Sequence, residues 1–162
     1  MTTELQIGPD WLRAAEAEEK AESAARELVA QQLTVATLRI QEAAPVFLQD
    51  IQRELAISVK ALDPELRSGA VTTWGSPEQE QGCRVLVRRN YIIPKETYTD
   101  IFYRKGEHRI RCNTVEGKSF LLSFCVYGEE VRVQANEAPA PMDYRQAAQF
   151  ILKPMIAITK RP

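Results

Sequence analysis

Few side chains in this sequence could do chemistry. One histidine, His108, and three cysteines, Cys83, Cys112 and Cys125, are its nucleophilic or metal-binding groups. A thiolate held beside an imidazole would make a nucleophilic catalyst. His108 and Cys112 lie four apart in a run that reads as one strand, so they share a face but stand about 13 Å apart. That is far beyond hydrogen-bond reach, and strand parity puts Cys125 on the other face. Structural zinc sites draw their ligands from close pairs on turns, whereas these candidates are spread over separate strands. Neither a metal nor a cofactor is expected, and the cysteines are assigned to packing, where a reduced thiol behaves as a small hydrophobe. The adjacent carboxylates Glu129 and Glu130 fall in a hairpin turn, as solvated groups. Neither the P-loop pattern nor the dinucleotide-binding glycine pattern is present. No catalytic signature emerges, and a non-enzymatic protein is expected.

A second group of residues carries recognition chemistry. Arg84, Arg88, Arg109, Arg111 and Arg132 offer planar guanidinium donors suited to phosphate or carboxylate. Phe102 and Tyr127 could stack on a base, as single-strand binders on open sheets do. These residues form a site only if they share a surface, so the strands that carry them must be placed.

Residues 83–135 read as an antiparallel meander of five strands, the first running from Cys83 to Ile93. Gly106, Gly117 and Gly128 recur every eleven residues between runs rich in Val, Ile, Phe and Tyr, a spacing suited to short hairpin turns. A two-residue loop with Gly106 first pairs Lys105 with His108. A three-residue loop ending on Gly117 pairs Thr114 with Lys118 and aligns Ile110 and Cys112 with Phe120, Leu122 and Phe124. A one-residue slip there would set Arg109 and Arg111 among those phenylalanines, at a cost of several kcal/mol, roughly, per buried unpaired charge. Gly128-Glu129 as a loop matches Val126 with Val131. The apolar residues then face one way, and all seven recognition candidates face the other.

The elements that cover this sheet are helical. After a lead-in over residues 1–9, Asp10 can cap a helix whose Ala, Glu, Gln and Leu content runs to about Ala44. Within it Ala14, Ala21, Leu28 and Val35 recur every seven residues, with Ala17, Ala24 and Leu38 near the other seam position. That pattern suits either a solvated arm or a close-packed helical pair, in cis or between two chains. Pro45 can open a second helix to about residue 62, whose Phe47, Leu48, Ile51, Leu55, Val59 and Leu62 form one stripe for the apolar sheet face. Residues 64–81 read as a loop with room for a short strand at Ala70–Trp74. Asp143 and Gln146 resemble a capping pair opening a last helix over 143–153, with Pro154 ending or kinking it. The fold class is α+β, with residues 10–162 as one domain.

At 162 residues the chain can bury a core without disulfides. The net charge of −1 conceals segregation: residues 1–30 hold seven acids against three bases, and residues 81–120 hold nine bases against four acids. The acidic helix over 10–27 could cover the arginine face, making the asymmetry structural. The polar, acidic start, the three cysteines and the lack of a long apolar run point to a soluble cytoplasmic protein away from membranes. The leading expectation is a small binding or adaptor protein that joins a protein partner or itself, through the arginine/aromatic face or the Ala-rich first helix. Polyanion or single-stranded nucleic-acid binding through the same face is the alternative, although a pI near 6.0 lacks the strong basicity of a dedicated binder. A ligand or enzyme pocket between helix and sheet is the third.

Overall fold

The computed structural model describes residues 9–76, 78–90, 93–136 and 140–160. One helix, α1, runs unbroken from Pro9 to Lys60, followed by six strands, β1 (Arg67–Gly75), β2 (Glu80–Arg89), β3 (Lys95–Arg104), β4 (Arg109–Thr114), β5 (Ser119–Tyr127) and β6 (Glu130–Ala135), and a second helix, α2 (Tyr144–Ile158). The chain divides into two units, Met1–Thr37 and Leu38–Pro162. Of the lead-in expected over residues 1–9, Pro9 belongs to α1 and residues 1–8 lie outside the described residues.

In the larger unit an α+β fold stacks helices on one face of an antiparallel sheet whose strands lie in sequence order from β1 to β6. The three hairpin registers follow the parity argument. Ile101 opposes Cys112, Cys112 opposes Phe120 with Arg109 beside Ser123, and Val126 opposes Val131. Cys83, Val85, Val87, Ile101, Ile110, Cys112, Leu122 and Val133 are fully buried on the inner face. From α1 the stripe Ile40, Ala44, Phe47, Leu48, Ile51, Leu55 and Val59 enters the same cluster. The Phe47 and Tyr103 rings meet Phe124 edge to face, at 5.6 and 5.9 Å. From α2 come Ala147, Ala148, Ile151 and Met155.

Four sequence-based boundaries need correction. Pro45 does not separate helices over 10–44 and 45–62; it lies inside α1. An internal proline costs about 3 kcal/mol in a missing hydrogen bond and a ring clash. Buried side chains on both sides of it, Ile40 and Ala44 before and Phe47 and Leu48 after, offset that cost. The sheet has six strands rather than five and begins at Arg67 rather than Cys83, because Arg67–Gly75, within the stretch 64–81 read as a loop, pairs with β2. β2 itself runs Glu80–Arg89, and Ile93 lies beyond it, largely exposed. The last helix runs past Lys153 to Ile158, through Pro154, because Met155 is buried beneath it.

The turn at Gly106 also differs in detail. Glu107 N–H donates to the Arg104 carbonyl at 3.0 Å, so Gly106, at φ +90, is third in a turn rather than first in a two-residue loop. A positive φ at the third position is the requirement of a type II turn. The turn at Gly117 is as expected, with Thr114 N–H donating to the Lys118 carbonyl at 2.8 Å and Gly117 N–H to Thr114 at 3.0 Å. The Asp143 side chain accepts from Gln146 N–H while the Gln146 side chain accepts from Asp143 N–H, a closed capping box on α2.

Candidate association surfaces

Every recognition candidate lies on the outer face of the sheet. Arg84 and Arg88 on β2, Arg109 and Arg111 on β4 and Tyr127 on β5 are exposed, while Phe102 on β3 and Arg132 on β6 are half-buried. The register draws some of them into one row. Trp74 opposes Gly82, Gly82 opposes Phe102, Phe102 opposes Arg111 and Arg111 opposes Leu121. The row therefore crosses five strands. Sequence reasoning missed Trp74, because its partner is a glycine. A Cβ on Gly82 would stand 2.7 Å from the Trp74 ring, so the indole lies in the space that the absent side chain leaves. A glycine capped by a cross-strand aromatic is a known sheet device, but it becomes legible only once the register is known.

The sheet's own carboxylates neutralise most of these arginines. Arg84 makes a two-point contact with Asp100, at 2.7 and 3.0 Å, and its guanidinium lies 3.9 Å from the centre of the Tyr98 ring. The hydrogen bond to Asp100 pushes the Arg84 pKa up. Arg111 pairs with Glu107 at 3.0 Å, and Arg104 with Glu80 at 3.3 Å. Arg132 pairs with Glu130 at 3.3 Å and sits over the Tyr127 ring at 4.8 Å. Among the described residues Arg88 and Arg109 have no ion-pair partner. Three of the five candidate arginines, Arg84, Arg111 and Arg132, are thus ion-paired within the sheet, so the face presents mostly paired, partly stacked guanidinium groups rather than a row of free cations.

The smaller unit has a different character. Residues 9–35 of α1 are all exposed, including large apolar side chains: Trp11, Leu12, Leu28, Val29, Leu33 and Val35 each have about half or more of their surface open. Isolated helices gain little without packing of an apolar face, and this segment buries none. Two apolar faces can be distinguished on the helical wheel. One carries Ala14, Ala17, Ala21, Ala24, Leu28, Gln31 and Val35 with no charged residue among them. The other carries Val29 and Leu33, which with Ala25, Arg26 and Ala30 border a shallow groove of about 370 Å³, and Glu22 and Arg26 interrupt it.

The groups considered for catalysis are not arranged for it. Cys83 and Cys112 are buried in the core. Burial first, and the Asp100 carboxylate second, push the Cys83 thiol up to about 12; burial also raises Cys112. A thiol so shifted is protonated at neutral pH and is a poor nucleophile. His108 lies in the turn before β4, exposed. Among the described residues no three His, Cys, Asp or Glu side chains gather closely enough to hold a metal ion. Buried side chains occupy the space between α1 and the inner sheet face. Clefts lie at the margins, one of about 880 Å³ bordered by Arg39, Glu42, Val46, Glu130 and Tyr144 and one of about 550 Å³ bordered by Lys118, Phe120, Asn136 and Phe150. The first also takes in the carboxylates of Asp50, Glu129 and Asp143, and the second has no carboxylate in its lining. Among the described residues no helix is long and apolar enough to cross a membrane.

No protein-family model, curated protein or solved structure matches the chain.

Proposed function

We propose that this is a non-enzymatic association protein whose working surface is the exposed N-terminal stretch of α1, which binds another helix. The observation that carries this reading is the uncharged seam from Ala14 to Val35. It repeats at heptad spacing, lies on a helix exposed along residues 9–35 and retains Leu28 and Val35 at 56 % and 50 % exposure. Apolar side chains at heptad spacing on one side of a helix are the pattern of a helix–helix seam, and an uncovered contiguous apolar surface marks an interaction site. The larger unit supplies an α+β body on the same chain. Sedimentation of the full chain over a range of concentrations tests the proposal. Mass that rises with concentration, and falls back to the monomer when Leu28 and Val35 are both replaced by Glu, is the expected result. A chain that stays monomeric throughout and retains no helical partner refutes it.

The arginine face is the site of the second reading, polyanion binding, for which Arg88 and Arg109, the two of its five candidate arginines without an ion-pair partner among the described residues, supply the cations. Such binding would weaken steeply with salt. Arg88→Ala combined with Arg109→Ala should abolish it. A single-stranded oligonucleotide whose mobility the protein does not shift at low salt would remove this reading.

A further inference from the structure

One cleft at the margin of the sheet has a chemistry that the association reading leaves unused. We infer that the space between the β4–β5 hairpin and α2 binds a small aromatic carboxylate that also carries an N–H or O–H donor. This goes beyond the helix seam, since every residue that borders the cleft belongs to the larger unit.

The cleft exists because β5 outruns β6. Pairing of β5 with β6 stops at Leu122 and Ala135, while β4 continues beside β5 to Ser119. Residues 119–121 therefore have a paired strand on one side only. Phe124 N–H donates to the His108 carbonyl and Thr114 N–H to the Lys118 carbonyl, so the even-numbered residues of β5 bond to β4. By antiparallel alternation the main-chain groups of Ser119 point to the open side. Phe150 and Pro154 of α2 border the same space, which measures about 550 Å³, a volume within the range of small-molecule pockets.

Three features specify the occupant. Phe120 and Phe150 are half-buried and meet edge to face, at 5.7 Å and 77°. They form an aromatic corner, where a flat ring can stack on one and meet the edge of the other. Lys118 is the one charged side chain among the described residues of the lining, and among the described residues no carboxylate pairs with it. Beside it, the Ser119 N–H and the Asn136 amide add donors suited to a carboxylate. The third feature comes from Pro154. It has no N–H for the Phe150 carbonyl, which a regular helix would bond from position 154, so an acceptor is left on the cleft side of α2. An aromatic body, an anionic end and a hydrogen-bond donor answer these in turn. The larger cleft offers less, because Asp50 and Glu130 are paired with Arg53 and Arg132 and Asp143 caps α2.

NMR titration of the full chain with indole-3-acetate tests the site. Saturable amide shifts confined to residues 118–121, 135–136 and 150–153 are expected. Lys118→Met should weaken binding about tenfold through loss of a charge-assisted contact. Plain indole, which lacks the carboxylate, should not respond to that change. Pro154→Ala returns an N–H to the Phe150 carbonyl and suits the helix better. It should weaken indole-3-acetate about fivefold and leave naphthalene-1-acetate, which has no N–H, within about twofold. Replacing Leu28 and Val35 by Glu should leave binding unchanged, so the cleft and the helix seam stand or fall separately. No saturation by about 10 mM indole-3-acetate, weaker than a ligand of this size reaches in a formed pocket, overturns the site. Indole bound as tightly as indole-3-acetate, or indifference of the acetate to Lys118→Met, overturns the carboxylate assignment. Shifts of the same amides on concentrating the protein alone would show a second copy filling the cleft, and overturn the small ligand as its occupant.

Discussion

Replacing Leu28 by Ala should separate the two apolar faces of α1. In the single chain Leu28 keeps 56 % of its surface exposed, which is the part a partner helix can cover. Full burial of a leucine is worth about 1.5–3 kcal/mol, so covering a little over half contributes roughly 0.8–1.7 kcal/mol per chain. Symmetry doubles this to about 1.6–3.4 kcal/mol per dimer, a weakening of roughly 15- to 300-fold in Kd. Leu33→Ala removes a side chain of the same type from a still more exposed position, at 65 %, but on the face interrupted by Glu22 and Arg26. It should change Kd by less than about threefold. Both are substitutions to a better helix former, so loss of helix propensity cannot account for a difference. Sedimentation equilibrium on the two variants, with circular dichroism as a check on helicity, gives the comparison. Equal weakening by both, or weakening by Leu33→Ala alone, would refute the assignment of the seam.

Three further outcomes follow from the larger unit. Gly82→Ala should destabilise it by about 1–3 kcal/mol, as overpacking does, because the new Cβ would meet the Ile101 carbonyl at 2.6 Å and the Trp74 ring at 2.7 Å; chemical denaturation reads this, and an unchanged midpoint would count against the Trp74 placement. Asp143→Ala should cost about 1 kcal/mol by opening the capping box, with Asp143→Asn close to neutral, both read as shifts in Tm. The buried thiols make stability pH-dependent on the alkaline side. Cys83 ionises near 9 as a free thiol and near 12 in the fold, so its contribution is fully present below pH 9 and is lost as the pH rises towards 12. Denaturation midpoints measured across that range should fall, and fall less steeply in Cys83→Ala.

The hairpins of the sheet were legible because a single energetic choice fixed them. Setting Arg109 and Arg111 among Phe120 and Phe124 is so costly that only the three-residue loop at Gly117 survives, and the loop at Gly128 extends the same parity to Val131 and Val133. β1 was not legible in the same way. Its Gly69, Thr72, Thr73 and Gly75 show little of the large-apolar alternation that marks a strand, and its anchoring contact, Trp74 over Gly82, is visible only in three dimensions. The pairing of the arginines was hidden for a related reason. β2 and β3 are joined through a stretch with no turn signature that fixes register, so nothing in the sequence set Arg84 against Asp100 or Arg104 against Glu80. The heptad spacing of α1 could be read from the sequence alone. Its exposure could not, because a stripe of alanines suits a solvated arm as well as a packed pair.

Amide hydrogen exchange over residues 9–37 tests the central claim most directly. A helix that pairs through the Ala14–Val35 seam protects these amides more strongly as protein concentration rises, and Leu28→Glu removes that protection while β2 and β3 keep theirs. Rapid exchange over residues 9–37, the same at every concentration and in the variant, would contradict the claim and leave α1 as a solvated arm.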